Sequence, residues 1–125
     1  MKVALTIWGN RISPVFDSAN TLMIVDLENL KISDRVYKGF DPHDLKQFSC
    51  ILKNCKIDIL ICGAITDDRS IFIEQNGIVL IPFIFGNTDK ILAILINEKH
   101  RISDFIMPGV ILDEYSIKNN SFFVK

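Results

Sequence analysis

Two nearly unbroken apolar runs, residues 57–62 and 78–85, dominate the second half of the chain. Strands that are covered on both faces need such runs, because neither face can carry polar side chains into solvent. The segment between the runs has helix signals: Thr66 stands before two aspartates, and Asn76-Gly77 follows as a stop. A strand, helix, strand unit of this kind predicts parallel strands in an α/β domain.

Three further strands are predicted before this unit, at residues 1–8, 21–26 and 32–38. The second and third are joined by a polar turn at residues 28–31, so that a hairpin is expected. After the hairpin, Asp41 is a predicted helix N-cap and Pro42 the first helical residue. A third helix is expected to begin at Gly86-Asn87, with three inward apolar residues, Ile91, Leu92 and Leu95.

This order of elements predicts a mixed five-stranded sheet with the strand order 3-2-1-4-5, strand 2 being antiparallel and helices lying on both faces. The arrangement is the ribonuclease H-like architecture. We expect residues 1–110 to form this single α/β domain. Residues 111–125 are expected to be a C-terminal extension that forms a hairpin or contacts another subunit.

The charge balance restricts the partners of the chain. It has 125 residues, with 14 Lys plus Arg against 15 Asp plus Glu, so no strong field attracts nucleic acid or an anionic membrane. No apolar window reaches the ~20 residues that span a bilayer, and no signal peptide is recognisable, which predicts a cytoplasmic protein. The three cysteines lack the C-x-x-C spacing of a structural zinc site.

Glycines follow three of the predicted strands, at Gly9, Gly63 and Gly86. If those strands are parallel, the glycines share one edge of the sheet, where a glycine permits close approach of a ligand to the backbone. Strands 1 and 4 are neighbours whose chains leave in opposite directions, and a crevice opens at such a point.

Two further loop residues, Asn10 and Ser13, and Thr66 at the start of a helix belong to the same predicted edge. Free amides and the helix dipole favour an anionic group there. Asp17 is interpreted as a turn-building residue of the loop. The sequence therefore predicts a site for an anionic ligand between residues 9–18 and 62–67.

An enzymatic function is not expected. Ribonuclease H-like nucleases need clustered carboxylates for two metal ions, but the first strand, MKVALTIW, contains none. Asp26 and Asp58 are expected at opposite ends of the sheet, too far apart to share a metal. Metal-dependent cleavage of nucleic acid, with Asp26 as a ligand, is the enzymatic alternative.

Three segments, WGNRISPVFDSA (8–19), LICGAI (60–65) and MPG (107–109), carry a resemblance to a known family. They resemble the dinitrogenase iron-molybdenum cofactor family, small proteins associated with assembling and carrying nitrogenase metal clusters. The resemblance covers about residues 1–110 and implies a ribonuclease H-like fold without nuclease activity. It also implies, as a cofactor or cargo, an iron-sulfur or iron-molybdenum cluster precursor, exchanged with donor or acceptor proteins.

One departure concerns the ligands for such a cluster. Family members often have cysteine after M-P-G, whereas this chain has Val110, which cannot supply a thiolate. Cys62 and His100 remain as the predicted metal ligands, with Gly9, Asn10, Ser13, Gly63 and Thr66 as outer contacts. The predicted function is a non-enzymatic carrier. The alternative is a protein-interaction or regulatory subunit that has lost cluster binding and assembles through residues 111–125 as a homo-oligomer.

Overall fold

The computed structural model describes residues 1–29, 31–97 and 99–108, which form one mixed sheet with helices on both faces. The strands are β1 (Lys2–Trp8), β2 (Arg11–Ile12), β3 (Thr21–Glu28), β4 (Lys31–Gly39), β5 (Ile59–Ile61) and β6 (Val79–Ile81). The helices are α1 (Leu45–Asn54), α2 (Asp67–Glu74) and α3 (Thr88–Asn97), with 3-10 turns at Phe16–Ser18 and Lys99–Phe105.

The strand order is β4-β3-β1-β5-β6, with the short β2 paired to the end of β1. β3 is antiparallel to both β1 and β4, whereas β5 is parallel to β1 and β6. This confirms the predicted order 3-2-1-4-5 and its antiparallel second strand. In the registers, Leu5 of β1 faces Met23 of β3 on one side and Ile61 of β5 on the other.

Alternate residues of the central strands enter two separate cores, because successive side chains of a strand point to opposite faces. One core packs Ala4 and Leu60 against α1 and α2, and the other packs Leu5 and Ile61 against α3. The three predicted inward residues of α3, Ile91, Leu92 and Leu95, are all buried in the second core. Both faces are therefore covered, as the apolar runs required.

Several element boundaries differ from the prediction. The third helix, α3, begins at Thr88, one residue after the predicted Gly86-Asn87 start. The two apolar runs contain only three strand residues each, in β5 and β6. The first run enters its strand two residues late, and the second leaves its strand after Ile81. β2 was not predicted, because two residues leave no periodic signal.

The N-cap of α1 is also displaced, from the predicted Asp41 to Asp44. The Asp44 Oδ1 accepts the Gln47 N–H at 3.0 Å, which satisfies one of the free donors of the first turn. Asp41 Oδ1 instead accepts the His43 N–H at 2.9 Å. Asp41-Pro42 therefore forms the turn that leads into the helix.

The carboxylates Asp26 and Asp58 correct another expectation. Asp26 pairs with Lys2 in the β1–β3 register, and Asp58 Oδ2 accepts the Lys2 N–H at 2.9 Å. Both residues therefore lie at the same end of the sheet, on either side of β1, and not at opposite ends. Two strand spacings, roughly 10 Å, separate their chains, with Lys2 of β1 between them.

Candidate functional site

The exits of β1 and β5 are adjacent, as predicted, but the first loop fills the space between them. Val15 forms a parallel bridge with Ala64. The Phe16 N–H donates to the Ala64 carbonyl at 2.8 Å, and the Ala64 N–H donates to the Pro14 carbonyl at 2.9 Å. The loop thus extends the sheet by main-chain pairing, and any ligand must bind on top of this layer.

Gly63 makes this close packing possible. A Cβ at this position would collide with the carbonyl oxygens of Ser13 and Pro14 and would lie 2.7 Å from the Pro14 carbonyl carbon. The glycine therefore serves to admit the backbone of the first loop. Its predicted role as a ligand-contacting residue stays a prediction.

The other side of the loop is fixed to α3. Gly9 has φ 66° in the turn between β1 and β2, a conformation that favours glycine. The Asn10 carbonyl accepts both the Thr88 N–H at 3.0 Å and the Thr88 hydroxyl at 3.2 Å. The Ile12 N–H donates to the Gly86 carbonyl at 3.0 Å. Gly9 and Asn10 are exposed, and the Asn10 backbone is bonded to the start of α3.

Ser13 is a structural residue of the loop in this conformation. Its side chain is buried, and its hydroxyl donates to the Val15 carbonyl at 3.0 Å. The Ser13 N–H donates to the Thr6 carbonyl at 2.9 Å. These bonds leave the hydroxyl committed to the loop and away from solvent.

Cys62 is completely buried in the core between the sheet, α1 and α2. Desolvation raises the pKa of its thiol well above the ordinary value, because burial disfavours the charged thiolate. The group is therefore a neutral thiol near pH 7, inaccessible to a solvent-borne cluster. Cys50 is exposed and Cys55 is half-buried.

An open pocket of about 220 Å³ lies on top of the paired loops, lined by Val15, Asp17, Ala64, Ile65 and Thr66. Thr66 is the N-cap residue of α2, but its side chain makes no capping bond to the helix. The Ser70 N–H donates to the Thr66 carbonyl at 3.0 Å, so the earlier peptide N–H groups of α2 have no partner within the helix. Of the predicted site residues, the pocket includes only Thr66.

Arg69 is the residue that the sequence analysis missed at this site. Its Nε lies 3.3 Å from Asp17 Oδ1, which joins α2 to the first loop beside the pocket. A guanidinium near a helix N-terminus gives a second donor for an anion. The signal was weak, since a single arginine three residues after a cap is an ordinary helix residue. Asp17, interpreted as a turn-building residue, also has Arg69 of α2 as its ion-pair partner.

Metal ligands are not clustered within residues 1–29, 31–97 and 99–108: no group of three or more His, Cys, Asp or Glu side chains there could hold an ion. His100 lies in the 3-10 turn Lys99–Phe105, and its side chain is outside the described part. The predicted extension 111–125 and Val110 are likewise outside the described residues.

In the same described ranges, no helix is long and apolar enough to span a membrane.

No family model matches the chain, and no curated protein matches it. Solved structures do share its fold. The crystal structure of a protein called PH0822 is 15% identical, with a TM-score of 0.69, covering 77% of this chain and 88% of that one.

A second similar protein is known from two structures. The crystal structure of a "putative dinitrogenase (mj0327)" from Methanocaldococcus jannaschii is 20% identical, with a TM-score of 0.63, covering 77% of this chain and 88% of that one. The NMR structure of the same protein is 18% identical, with a TM-score of 0.60, covering 89% and 95%. The chain thus shares its fold with these proteins. At these identities the likeness is one of fold.

Proposed function

We propose that this protein is a non-enzymatic carrier that holds a small anionic ligand in the pocket above the first loop. The observation that carries the proposal is the position of the pocket. It lies at the carboxyl ends of β1 and β5, where the sheet connections diverge, and beside the N-terminus of α2. Ligands of open α/β sheets bind at such a switch point.

The charges around the pocket set the expected strength of binding. Free peptide N–H groups of α2 and the Arg69 guanidinium attract an anion. Asp17 is offset by its ion pair with Arg69, whereas Asp67 and Asp68 are exposed in the first turn of α2 and oppose an anion. We therefore expect modest, salt-sensitive affinity.

The proposed cargo is a preassembled iron-sulfur or iron-molybdenum cluster precursor, passed between donor and acceptor proteins. A cluster that needs protein thiolates does not fit this pocket, because Cys62 is buried beneath it as a neutral thiol. The residues around the pocket fit only a cluster whose metal atoms already have ligands of their own. The protein would hold such a cluster through hydrogen bonds and charge, without ligating the metal. Arg69, Thr66 and the α2 amides would supply those contacts.

Molybdate, a tetrahedral oxyanion, is a direct probe of the pocket. In a ¹⁵N NMR titration at low salt, the amides of residues 64–69 should shift on adding molybdate. Arg69→Gln should weaken the response, and the double variant Asp67→Asn with Asp68→Asn should strengthen it. Lys46→Gln, an exposed change of equal charge on α1, is the matched control. Shifts elsewhere, or an unchanged response in Arg69→Gln, would reject the site.

The cluster is tested separately by anaerobic incubation with a preassembled iron-sulfur cluster that carries its own thiolate ligands, followed by removal of unbound cluster and iron quantitation. The proposal expects bound iron that persists in Cys50→Ser. A protein without iron contradicts cluster carriage, and iron that disappears in Cys50→Ser assigns it to a surface thiol. Trp8, the single tryptophan of the chain, reports binding near the loop by its fluorescence.

A second function is supported by the exposed aromatic residues at the same sheet edge. Trp8 is 69% exposed on the rigid turn, and Phe85 is 40% exposed after β6. Exposed aromatic side chains are frequent anchors of protein interfaces. This arrangement favours a protein-interaction or regulatory subunit without a ligand. The molybdate titration separates the two functions, because the second expects no shift at residues 64–69.

A further inference from the structure

Within residues 1–29, 31–97 and 99–108, no strand pairs with the outer side of the edge strand β4. It bonds to β3 on one side only and ends the sheet. Val36 is 47% exposed and Tyr37 is 58% exposed, so apolar side chains accompany the free backbone. Such an edge is a template for pairing with another strand.

The direction of the free peptide groups follows from the neighbouring hydrogen bonds. The Phe40 N–H donates to the Asn20 carbonyl at 3.0 Å, so the even-numbered residues of this segment face β3. In an antiparallel ladder the alternate residues face away. The peptide groups of Arg35 and Tyr37 therefore point out of the sheet.

The open part of the edge is regular. The β3–β4 register runs without a break from Thr21 opposite Gly39 to Asp26 opposite Asp34, and the irregularity comes only after Asp26. Bulges and lysines protect sheet edges. Here the irregularity lies at the beginning of β4, and residues 34–39, which include Lys38, keep a regular register.

We propose that β4 pairs antiparallel with β4 of a second copy of this chain, with Val36 facing the partner's Val36 on the two-fold axis. This register sets Arg35 opposite the partner's Tyr37, joined by reciprocal main-chain hydrogen bonds. It sets Asp34 opposite the partner's Lys38. Because the axis repeats each contact, two ion pairs and two cation-aromatic pairs flank the central valines.

The cross-strand side-chain pairs are more favourable with the two-fold axis at Val36 than with the axis one residue earlier, at Arg35. A two-fold axis at Arg35 would set the two arginines opposite each other, which is unfavourable for like charges. With the axis at Val36, every charged residue from Asp34 to Lys38 meets an oppositely charged or aromatic one. The charge pattern of the strand therefore favours a second copy aligned on Val36 over one aligned on Arg35.

Pairing requires one local exchange. The Arg35 N–H donates to Asp34 Oδ1 at 2.9 Å in the single chain, which caps an outward donor. In the dimer the partner's Tyr37 carbonyl replaces this acceptor, and the Asp34 carboxylate turns to the partner's Lys38. Arg35 keeps its ion pair with Asp89 of α3, whose oxygen lies 3.1 Å from the guanidinium. The interface is short, so we expect a weak association that needs a high protein concentration.

Sedimentation equilibrium of the full chain over a range of concentrations tests the pairing. The wild type should approach twice its 14.2 kDa mass. Val36→Lys sets two lysines on the axis and should abolish the dimer. Asp34→Lys and Lys38→Asp should each weaken dimerisation roughly tenfold, since two ion pairs become repulsive. The combined variant restores both pairs and should recover the wild-type affinity.

The exchange of charges makes the test specific, because a merely structural effect would not be rescued by the second change. Circular dichroism confirms that each variant is folded. A wild type that stays monomeric at millimolar concentration overturns the proposal. A dimer that persists in Val36→Lys overturns it as well, since another surface, such as residues 111–125, must then hold the copies together.

Discussion

The backbone of Ser13 lies directly on Gly63, so close that the glycine has no room for a side chain. We expect Gly63→Ala to destabilise the protein by about 3 kcal/mol, because overpacking forces the main chain apart. Gly39→Ala is the control, since a Cβ there would meet only the Asn20 carbonyl at 3.9 Å. Urea unfolding measures the free energy of unfolding of both variants. Equal stability of the two variants would show that the loop yields easily.

The cap of α1 gives a second prediction. Asp44→Ala should lower the free energy of unfolding by about 1 kcal/mol, because the Gln47 N–H loses its acceptor. Lys46→Ala, an exposed change in the same turn, should have little effect. Thermal unfolding followed by circular dichroism compares the two. A larger loss from Lys46→Ala would contradict this assignment of the cap.

A substitution at the C-terminal end of α1 should stabilise the protein. Lys56 has φ 55°, and the Ile57 N–H donates to the Leu52 carbonyl at 3.0 Å while the Lys56 N–H donates to the Lys53 carbonyl at 3.1 Å. This is the Schellman pattern, whose left-handed residue favours glycine. Lys56→Gly should stabilise by about 1 kcal/mol.

The same substitution three residues earlier is the control for this prediction. Lys53→Gly lies inside the helix, where glycine costs about 1 kcal/mol. Chemical denaturation of both variants should therefore give changes of opposite sign. Destabilisation by Lys56→Gly would mean that the lysine side chain contributes more than its backbone strain costs.

The buried thiol of Cys62 predicts a pH dependence of stability. Burial raises the pKa of Cys62 in the folded protein, whereas a cysteine of the unfolded chain ionises near pH ~8.5. The unfolded state therefore loses its proton first. Stability is retained below that pH and falls above it, by up to about 1.4 kcal/mol per pH unit.

Cys62→Ala removes this dependence, although it also lowers stability near neutral pH by leaving a cavity. The quantity to compare is the decrease in the free energy of unfolding from neutral to alkaline pH. This decrease should be smaller in Cys62→Ala than in the wild type. Cys50→Ala, at an exposed cysteine, should keep the wild-type loss. Equal losses in all three proteins would indicate that the folded thiol ionises.

The strand order could be predicted from the sequence because it follows from local patterns: a hairpin, then apolar runs separated by a capped helix. The packing of the first loop could not. Whether Gly63 contacts a ligand or another part of the backbone depends on contacts between residues about fifty positions apart, such as Phe16 and Ala64. No local periodicity reports them.

The pocket lies between the two predicted segments, 9–18 and 62–67, but its lining shares only Thr66 with the predicted site residues, whose role stays a prediction. The positions of Thr66 and of the α2 N-terminus followed from capping signals, and both border the pocket. Cys62 was predicted as a ligand because it follows a strand, but side chains alternate, and residue 62 falls on the inner face with Leu60. Arg69 required the position of Asp17 in space.

The bonds of the first loop also have a consequence for the order of folding. The loop comes early in the sequence, yet its partners are Ala64, Gly86 and Thr88. Bringing such distant parts of the chain together lowers the chain entropy before the stabilising contacts form. The part of the sheet edge that is synthesised first therefore completes its hydrogen bonds only after the chain has been made as far as Thr88.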